Sequence, residues 1–413
     1  MKIDKKFLLK ESKIFCMAPW VELHVAPHGK IFPCCISGAF RDEAIGDTRQ
    51  GDTLLESWNS TNMKKLRVNM LNGNKSKLCE RCYTYEDLGK ESERYWYNTD
   101  FGKHFGRIEN TKDDGELEIF DPPYLDIRFS NICNLRCRIC GPELSSGWFN
   151  DAKKLNPGEF KGKQIISPTE SPEELWEQVE TLIPTIERIH FAGGEPLVME
   201  EHYKILELLI QEKNINVKVT YNTNFANLVY KGKNVLDYWK ELKDVAVFAS
   251  LDGMGKRGDY MRKGQQWDKI IENRKQLQDK CPDVYFHVDP VVSVMNIFHI
   301  LDFYKWMVDT EFISPSNITV YLLFEPEYYN IQGVSVDTKK RVVKKYNDFF
   351  NNYLTKFDTG ISTYVKSQFQ VVLNYMKEDT LDIGKSFLDV NTKLDKIREE
   401  DFREILPEIE GML

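Results

Sequence analysis

The sequence predicts an α/β protein: a partial (β/α)6 barrel, with a hairpin-plus-helix domain before it and a helical extension after it. Three observations carry this. Six β-prone runs alternate with helical stretches from Tyr124 onward. Five of the cysteines fall before residue 90, among short extended pieces and turns. Beyond about Gln332 the pattern is helical, first basic and then acidic. The expected domains are residues 1–120, 121–332 and 333–413, in line with a chain too long for one ordinary domain.

In chain order, WVELHVAP-HGK-IFPCC reads as a hairpin, two apolar runs around a Pro-His-Gly-Lys turn. LLESWNSTNMKKLRVNMLNG has helical spacing and a terminal Gly, and CERC follows. The charged, glycine-bearing connector NTKDDGELEIFDPP marks a boundary near residue 120. The expected barrel strands are YLDIRF, RIHFAG, VKVTYN, VAVFASLD, YFHVDPVV and NITVYLLF. Between them SPEELWEQVETLIP, EEHYKILELLIQEK, WDKIIENRKQLQDK and HILDFYKWMVDT read as helices. Such alternation implies a parallel sheet with outer helices. Six units curl into a partial barrel, with ligands at the C-terminal ends of the strands. KKRVVKK, Lys339 to Lys345, has helix spacing and reads as a solvated face.

Hydrophobic residues make up 41% and charged residues 29% of the chain, a globular profile with ample core material. The net charge of −8 is opposite to the broad basic surface that neutralises phosphates, so nucleic acid is disfavoured as a partner. MKIDKKFLLKESKIF is basic but lacks the long apolar run of a signal peptide. Runs such as YKILELLI and VAVFASL fall far short of the roughly 20 residues that span a bilayer. A cytoplasmic protein with no membrane segment is expected, in a compartment where clustered cysteines bind metal or do redox chemistry.

After the first barrel strand comes CNLRCRIC, which spaces Cys133, Cys137 and Cys140 on one tight loop. Thiolates suit iron–sulfur clusters and zinc alike. Structural zinc normally takes four protein ligands, so the zinc alternative requires a distant fourth. Three thiolates on a four-iron cluster leave one iron open to a small molecule. The loop resembles the CxxxCxΦC motif of the radical SAM superfamily, with Ile139 where the family usually has an aromatic residue. An aliphatic side chain there can still pack on adenine. The resemblance implies a [4Fe-4S] cluster whose open iron is chelated by S-adenosylmethionine (SAM). It also implies reductive cleavage of SAM to a 5′-deoxyadenosyl radical that abstracts hydrogen from a substrate. That chemistry belongs to the cofactor, and the protein supplies position and shielding.

Further segments fit the same family. In FAGGEP, Gly193 and Gly194 let the backbone approach a ligand and Glu195 adds an acceptor. The resemblance assigns this motif to the methionine amino group of SAM. It assigns Ser250 and Asp252 of SLDG to ribose hydroxyls, and Arg262 of YMR to the SAM carboxylate, for which guanidinium is the natural partner. Asn222 and Asn224 end the third strand near cofactor or substrate. For each of these, a strand-end cap or surface contact is the plain alternative. Substrate-site candidates are His287, Asp289, Glu325 and Tyr328.

The N-terminal segment places Gly29 between Cys16 and Cys34, then Cys79 and Cys82 in CERC. With the PW after Cys16, PCC at Cys34 and the ESWNS…LR helix, it resembles the twitch domain, a short form of the SPASM domain. The resemblance implies a second [4Fe-4S] cluster on Cys16, Cys34, Cys79 and Cys82. Four such thiolates also describe a zinc ribbon, and the non-enzymatic reading is a zinc-binding interaction module. The Gly29 spacing favours Cys34, because neighbours on a strand face opposite ways, which leaves Cys35 as a spare or an alternative ligand. Cys281, at a helix end before Pro282, reads as a packing residue. The expected partners are SAM, an unidentified peptide or small-molecule substrate, and an electron donor such as flavodoxin or ferredoxin. No winged-helix segment for binding a leader peptide is evident.

Overall fold

A computed structural model describes residues 4–39, 41–378 and 381–413. The chain forms two compact units. The first comprises residues 1–131, 165–221 and 241–245, and the second residues 132–164, 222–240 and 246–413.

The first unit begins with the hairpin. β1 (Glu22–Val25) and β2 (Lys30–Phe32) pair antiparallel, with His24 opposite Phe32. Gly29 makes the turn at φ +89°, and an added Cβ would lie 2.8 Å from Arg49 and 2.9 Å from the Pro168 carbonyl. Only glycine combines that conformation with that clearance. β3 (Gly46–Asp47) continues the ladder beyond β2. On its other side β1 pairs in parallel with β4 (Tyr124–Ile127), which pairs with β5 (Arg188–Phe191), which pairs with β6 (Lys218–Thr223) over its first four residues. The hairpin therefore extends a parallel sheet. This joining was not foreseen from the sequence.

The LLESWNS…LNG run forms two helices, Leu54–Trp58 and Thr61–Leu71, and not one. Asn59 and Ser60 divide them: the Ser60 hydroxyl accepts from the Met63 N–H and caps the second helix. Buried Arg67 spans the break, donating to the Pro19 carbonyl (2.9 Å), Asn59 Oδ1 (3.0 Å) and the Gly115 carbonyl (3.1 Å). Its guanidinium lies 4.8 Å over the Trp58 ring. The connector is strapped down as well. Trp58 Nε1 donates to the Ile119 carbonyl, Asn59 Nδ2 donates to the Leu117 carbonyl, and Gly115 passes so close to Lys64 that a Cβ would meet its carbonyl at 2.3 Å.

In the second unit, β7 (Asp244–Ala249) pairs in parallel with β8 (Tyr285–Val288) through its residues 246–249. Pro290 ends β8 because it has no N–H to donate to the ladder. The chain resumes at Val291–Val292, parallel to Tyr321–Leu322. The NITVYLLF run is thus shorter as a strand than its apolar pattern suggests. Helices Trp267–Lys280 and Ile300–Asp309 lie where the spacing places them.

Beyond residue 332 the helices are Val336–Asp348, Thr359–Met376, Gly384–Arg398 and Phe402–Ile405. The first buries Thr338, Val342 and Tyr346. Most of its basic side face is solvated, but Lys345 donates to the Phe298 carbonyl and pairs with Asp302 at 2.6 Å. No helix among the described residues is long and apolar enough to cross a membrane.

Candidate metal centres

The cysteine loop is built within the second unit by short-range bonds. The Cys133 N–H donates to Ser146 Oγ (3.2 Å), and Cys133 Sγ accepts from the Leu135 N–H (3.4 Å) and from Asn224 Nδ2 (3.9 Å). Trp148 Nε1 donates to the Cys137 carbonyl at 2.8 Å, and the Cys140 N–H donates to the same carbonyl at 3.0 Å. A two-residue antiparallel ladder pairs Cys137 with Arg262. All three thiols are free of disulfides. A hydrogen bond from Cys140, and then the Arg262 guanidinium, pull the Cys137 thiol down against its burial. Arg262 Nη1 lies 3.7 Å from Cys137 Sγ and its Nε is 2.9 Å from Asp252 Oδ2. Three free thiols with a buried cation beside them fit an anionic iron–sulfur cluster.

Other strand-end candidates gather in this unit. Asp252 Oδ1 accepts from the Val291 N–H at 2.9 Å, so this carboxylate is shared between Arg262 and the backbone. Ser250 is half-buried and its N–H donates to the Thr223 carbonyl at 2.8 Å. Asn224 Nδ2 also donates to Asn134 Oδ1 at 2.8 Å, and Asn222 Nδ2 lies 3.4 Å from Asp289 Oδ2. His287 bridges Tyr285 and Thr319 at 2.9 and 2.8 Å. Ile139 and Tyr328 are half-buried, and Glu325 is exposed. Cys281 is buried and donates to the Leu236 carbonyl, the arrangement of a packing residue.

In the first unit, Gly193 and Gly194 adopt φ +74° and +45°. A Cβ on Gly193 would lie 2.5 Å from Arg128 Cδ, so glycine is required there by packing as well as by conformation. Buried Glu195 accepts from the Leu197 N–H at 3.0 Å and caps a short 3-10 turn.

The first unit also holds the second cysteine set. Cys16, Cys34, Cys79 and Cys82 line one cavity, walled by Ala18, Pro19, Leu66, Met70 and Leu78. Burial pushes the Cys16 thiol well up, and its charge is further disfavoured by Cys34, Cys79 and Cys82. Burial pushes all four thiols up and repulsion from other thiols adds at Cys16, Cys34 and Cys79, so the set fits a cationic iron centre that relieves the repulsion. Cys34 and Cys35 do not lie on a strand. β2 stops at Phe32, Cys34 sits in a bend, and Cys35 opens the 3-10 segment Cys35–Ala39. Strand alternation therefore does not separate the two. Their surroundings do: Cys34 lines the cavity with the other three thiols, whereas the strongest charge acting on Cys35 is Asp126; burial and Glu22 push both thiols up.

A buried polar row went unnoticed in the sequence. Strand register aligns His24, Asp126, His190 and Thr220. Asp126 Oδ2 lies 3.0 Å from His24 Nδ1 and 3.3 Å from Arg128 Nη2. Against the effect of burial, Arg128 and then His24 hold the Asp126 carboxyl well below the usual range. Two positions along β1, burial and the neighbouring Asp126 push the Glu22 carboxyl well up, and Tyr97 donates to it. The signal was present as polar residues at alternate positions in ELH, LDIR and RIH, which reads as loss of a strand's apolar face unless both faces are enclosed.

A family model described as the radical SAM superfamily matches residues 127–307, and one described as an iron–sulfur cluster-binding domain, SPASM, matches residues 16–83. Residues 127–307 are thus a radical SAM domain, and residues 16–83 an iron–sulfur SPASM-type domain. The chain's fold is that superfamily's parallel-rich partial barrel with a helical C-terminal region, and its cofactors are iron–sulfur clusters and SAM. The chain is 24% identical over 47% of its length to a 7,8-dihydro-6-hydroxymethylpterin dimethyltransferase of Methanocaldococcus jannaschii. It is 28% identical over 38% of its length to a GTP 3′,8-cyclase of Peptoclostridium acidaminophilum. The chain spans 39% and 42% of the length of these two relatives. A solved structure of Streptococcus suis SuiB bound to SAM is 15% identical, with a TM-score of 0.40, over 70% of this chain and 64% of that one.

Proposed function

We propose that this protein is a radical SAM oxidoreductase that removes a hydrogen atom from a small-molecule substrate, with one [4Fe-4S] cluster at Cys133, Cys137 and Cys140. A second, auxiliary [4Fe-4S] cluster is held by Cys16, Cys34, Cys79 and Cys82. The observation that carries this reading is the three-thiol loop with the Arg262 guanidinium beside Cys137 Sγ. When bound, SAM and its cluster supply the electron and the 5′-deoxyadenosyl radical. The chain's residues bind and orient. Asp252 holds Arg262 by its Nε, leaving the outer guanidinium edge for the SAM carboxylate. Asn224 donates toward Cys133, and the family resemblance assigns Gly193, Gly194 and Glu195 to the SAM amino group. Ser250 would meet the ribose and Ile139 would pack on adenine.

The dimethyltransferase and the cyclase are each named for a nitrogen heterocycle, a pterin and a guanine nucleotide. A small heterocyclic metabolite is therefore the substrate class to examine first. The protein works in the cytoplasm with flavodoxin or ferredoxin as reductant, and its modules divide near residues 120 and 332. The test is anaerobic incubation with SAM, reductant and metabolite or peptide extracts, followed by mass spectrometry. 5′-Deoxyadenosine formed together with one mass-shifted heterocycle supports the proposal. A mass-shifted peptide would replace the substrate class, and a colourless zinc protein without cleavage would overturn the enzyme reading.

A further inference from the structure

We infer that the C-terminal segment from Asn391 to Glu400 positions the three-cysteine loop through Arg136 and Arg138, the residues on either side of Cys137. The inference rests on the reading of that loop as a cluster site. Arg138 lies between Cys137 and Cys140, and its side chain is 0% exposed. All of its charged edge is directed at other segments. Nη2 bonds Asp395 and Glu400 (2.7 Å to the latter), Nη1 donates to Asn391 Oδ1 at 3.0 Å, and Nε donates to the Tyr260 carbonyl at 3.3 Å. The guanidinium also lies 3.7 Å over the Tyr260 ring.

Arg136, on the other side of Cys137, takes a parallel route. Its Nη1 is 2.9 Å from Asp151 Oδ1, and Asp151 Oδ2 accepts from Arg398 Nε at 2.9 Å. Arg398 and Asp395 lie on one helix, Gly384–Arg398. The Arg398 guanidinium is 4.5 Å over Trp148, the residue whose indole N–H bonds the Cys137 carbonyl. Lys263, paired with Arg136 in the small ladder, reaches Glu400 at 3.1 Å. Both arginines that flank one ligand are therefore fastened to the same ten-residue stretch near the C-terminus.

Stability alone does not account for this. A buried ion pair carries a desolvation cost that its attraction only partly offsets, and apolar side chains of the same volume often do as well. Charged hydrogen bonds to a planar guanidinium add direction: they fix its orientation and that of the backbone from which it springs. Around Cys137 that backbone is the cluster loop. Arg136 and Arg138 are positioning residues, and Asp395, Glu400 and Asp151 are their anchors.

The full-length holoprotein, reconstituted anaerobically, provides the test. A chelator strips iron while the two clusters are followed separately by paramagnetic resonance, with and without SAM. Supporting groups around metal ligands typically contribute 10–100-fold in metal affinity, so Arg138→Gln should lose the loop cluster at least about tenfold faster. It should also alter the spectral change that SAM produces, while the auxiliary cluster decays at the wild-type rate. Arg138→Lys should recover only part of the loss. The milder Glu400→Gln should act in the same direction, and adding Asp395→Asn to Arg138→Gln should cost little more, because the two belong to one network. Wild-type decay and SAM response in both Arg138→Gln and Glu400→Gln would overturn the inference, and so would effects that simply multiply. A wild-type protein with no iron on the loop would overturn the cluster reading itself, a result that wild-type iron analysis separates from the first.

Discussion

The auxiliary cavity and the three-cysteine loop use the same ligand element in opposite surroundings. Four thiols face a cavity walled by Ala18, Pro19, Leu66, Met70 and Leu78. Arg94 reaches that wall but is engaged elsewhere, by Glu86 at 2.7 Å and by the Ser12 and Phe15 carbonyls. The loop has one thiol fewer and three arginines, with Arg262 beside a sulfur and Arg136 and Arg138 carrying the flanks. Ligand count and local charge thus vary together. A full thiolate set, in a lining that is largely apolar but includes Ser37, Glu93 and Arg94, has no need of an external ligand, whereas an incomplete set beside a buried guanidinium suits a carboxylate-bearing one. The comparison separates a resident cluster from a reactive one by wall chemistry as well as by ligand number.

The largest expected effect comes from removing the open set. Cys133→Ala, Cys137→Ala and Cys140→Ala together should take iron from about eight per chain to about four and abolish 5′-deoxyadenosine formation. Cleavage retained in that variant would falsify the assignment of the two sites. The closed set should behave differently. Cys79→Ala with Cys82→Ala should also remove about half the iron, yet SAM cleavage uncoupled from substrate should survive while substrate turnover is lost. Zinc falling in place of iron would turn the auxiliary site into a zinc ribbon.

A finer effect divides neighbouring residues. Cys34→Ser should release auxiliary iron, whereas Cys35→Ser should keep the full complement, because Cys34 lines the cavity with Cys16, Cys79 and Cys82, while the strongest charge on Cys35 is Asp126. Iron analysis of the two variants decides it, and the reverse result would exchange the ligands.

The smallest effect concerns pH. The first unit buries histidines, among them His202. Burial pulls His202 down to about 3, against about 6.5 in an unfolded chain. The unfolded chain then binds the proton first. This contribution is complete above about pH 6.5 and falls by up to about 1.4 kcal/mol per pH unit as pH drops toward about 3. His202→Gln should flatten the loss of thermal stability over that window. An unchanged slope would show that His202, 3.0 Å from the Tyr221 hydroxyl, takes up its proton at the same pH folded and unfolded.

Much of this was legible in the sequence. The CNLRCRIC spacing, FAGGEP and the strand–helix alternation are short-range patterns, and the first five barrel strands fall on the runs that suggested them, two of them reaching one residue beyond. Where reading failed, a competing local interaction had won. Pro290 cut the fifth run and the sixth strand shortened with it, Ser60 capped a new helix within an apparently continuous one, and the chain left β2 before reaching Cys34.

Spacing along the chain therefore determined the chemistry: which sulfurs could share a loop, where glycine was needed, and which periods made strands and helices. Those properties depend on neighbours a few residues apart, so they survive without a fold. Placement of the hairpin beside β4, the row from His24 to Thr220 and the fastening of Arg138 to Asp395 belong to the tertiary structure. Each joins residues far apart in sequence, and no local pattern encodes such a pairing. A buried charge looks the same in sequence as an exposed one, and only the packed neighbours that replace its water reveal the difference.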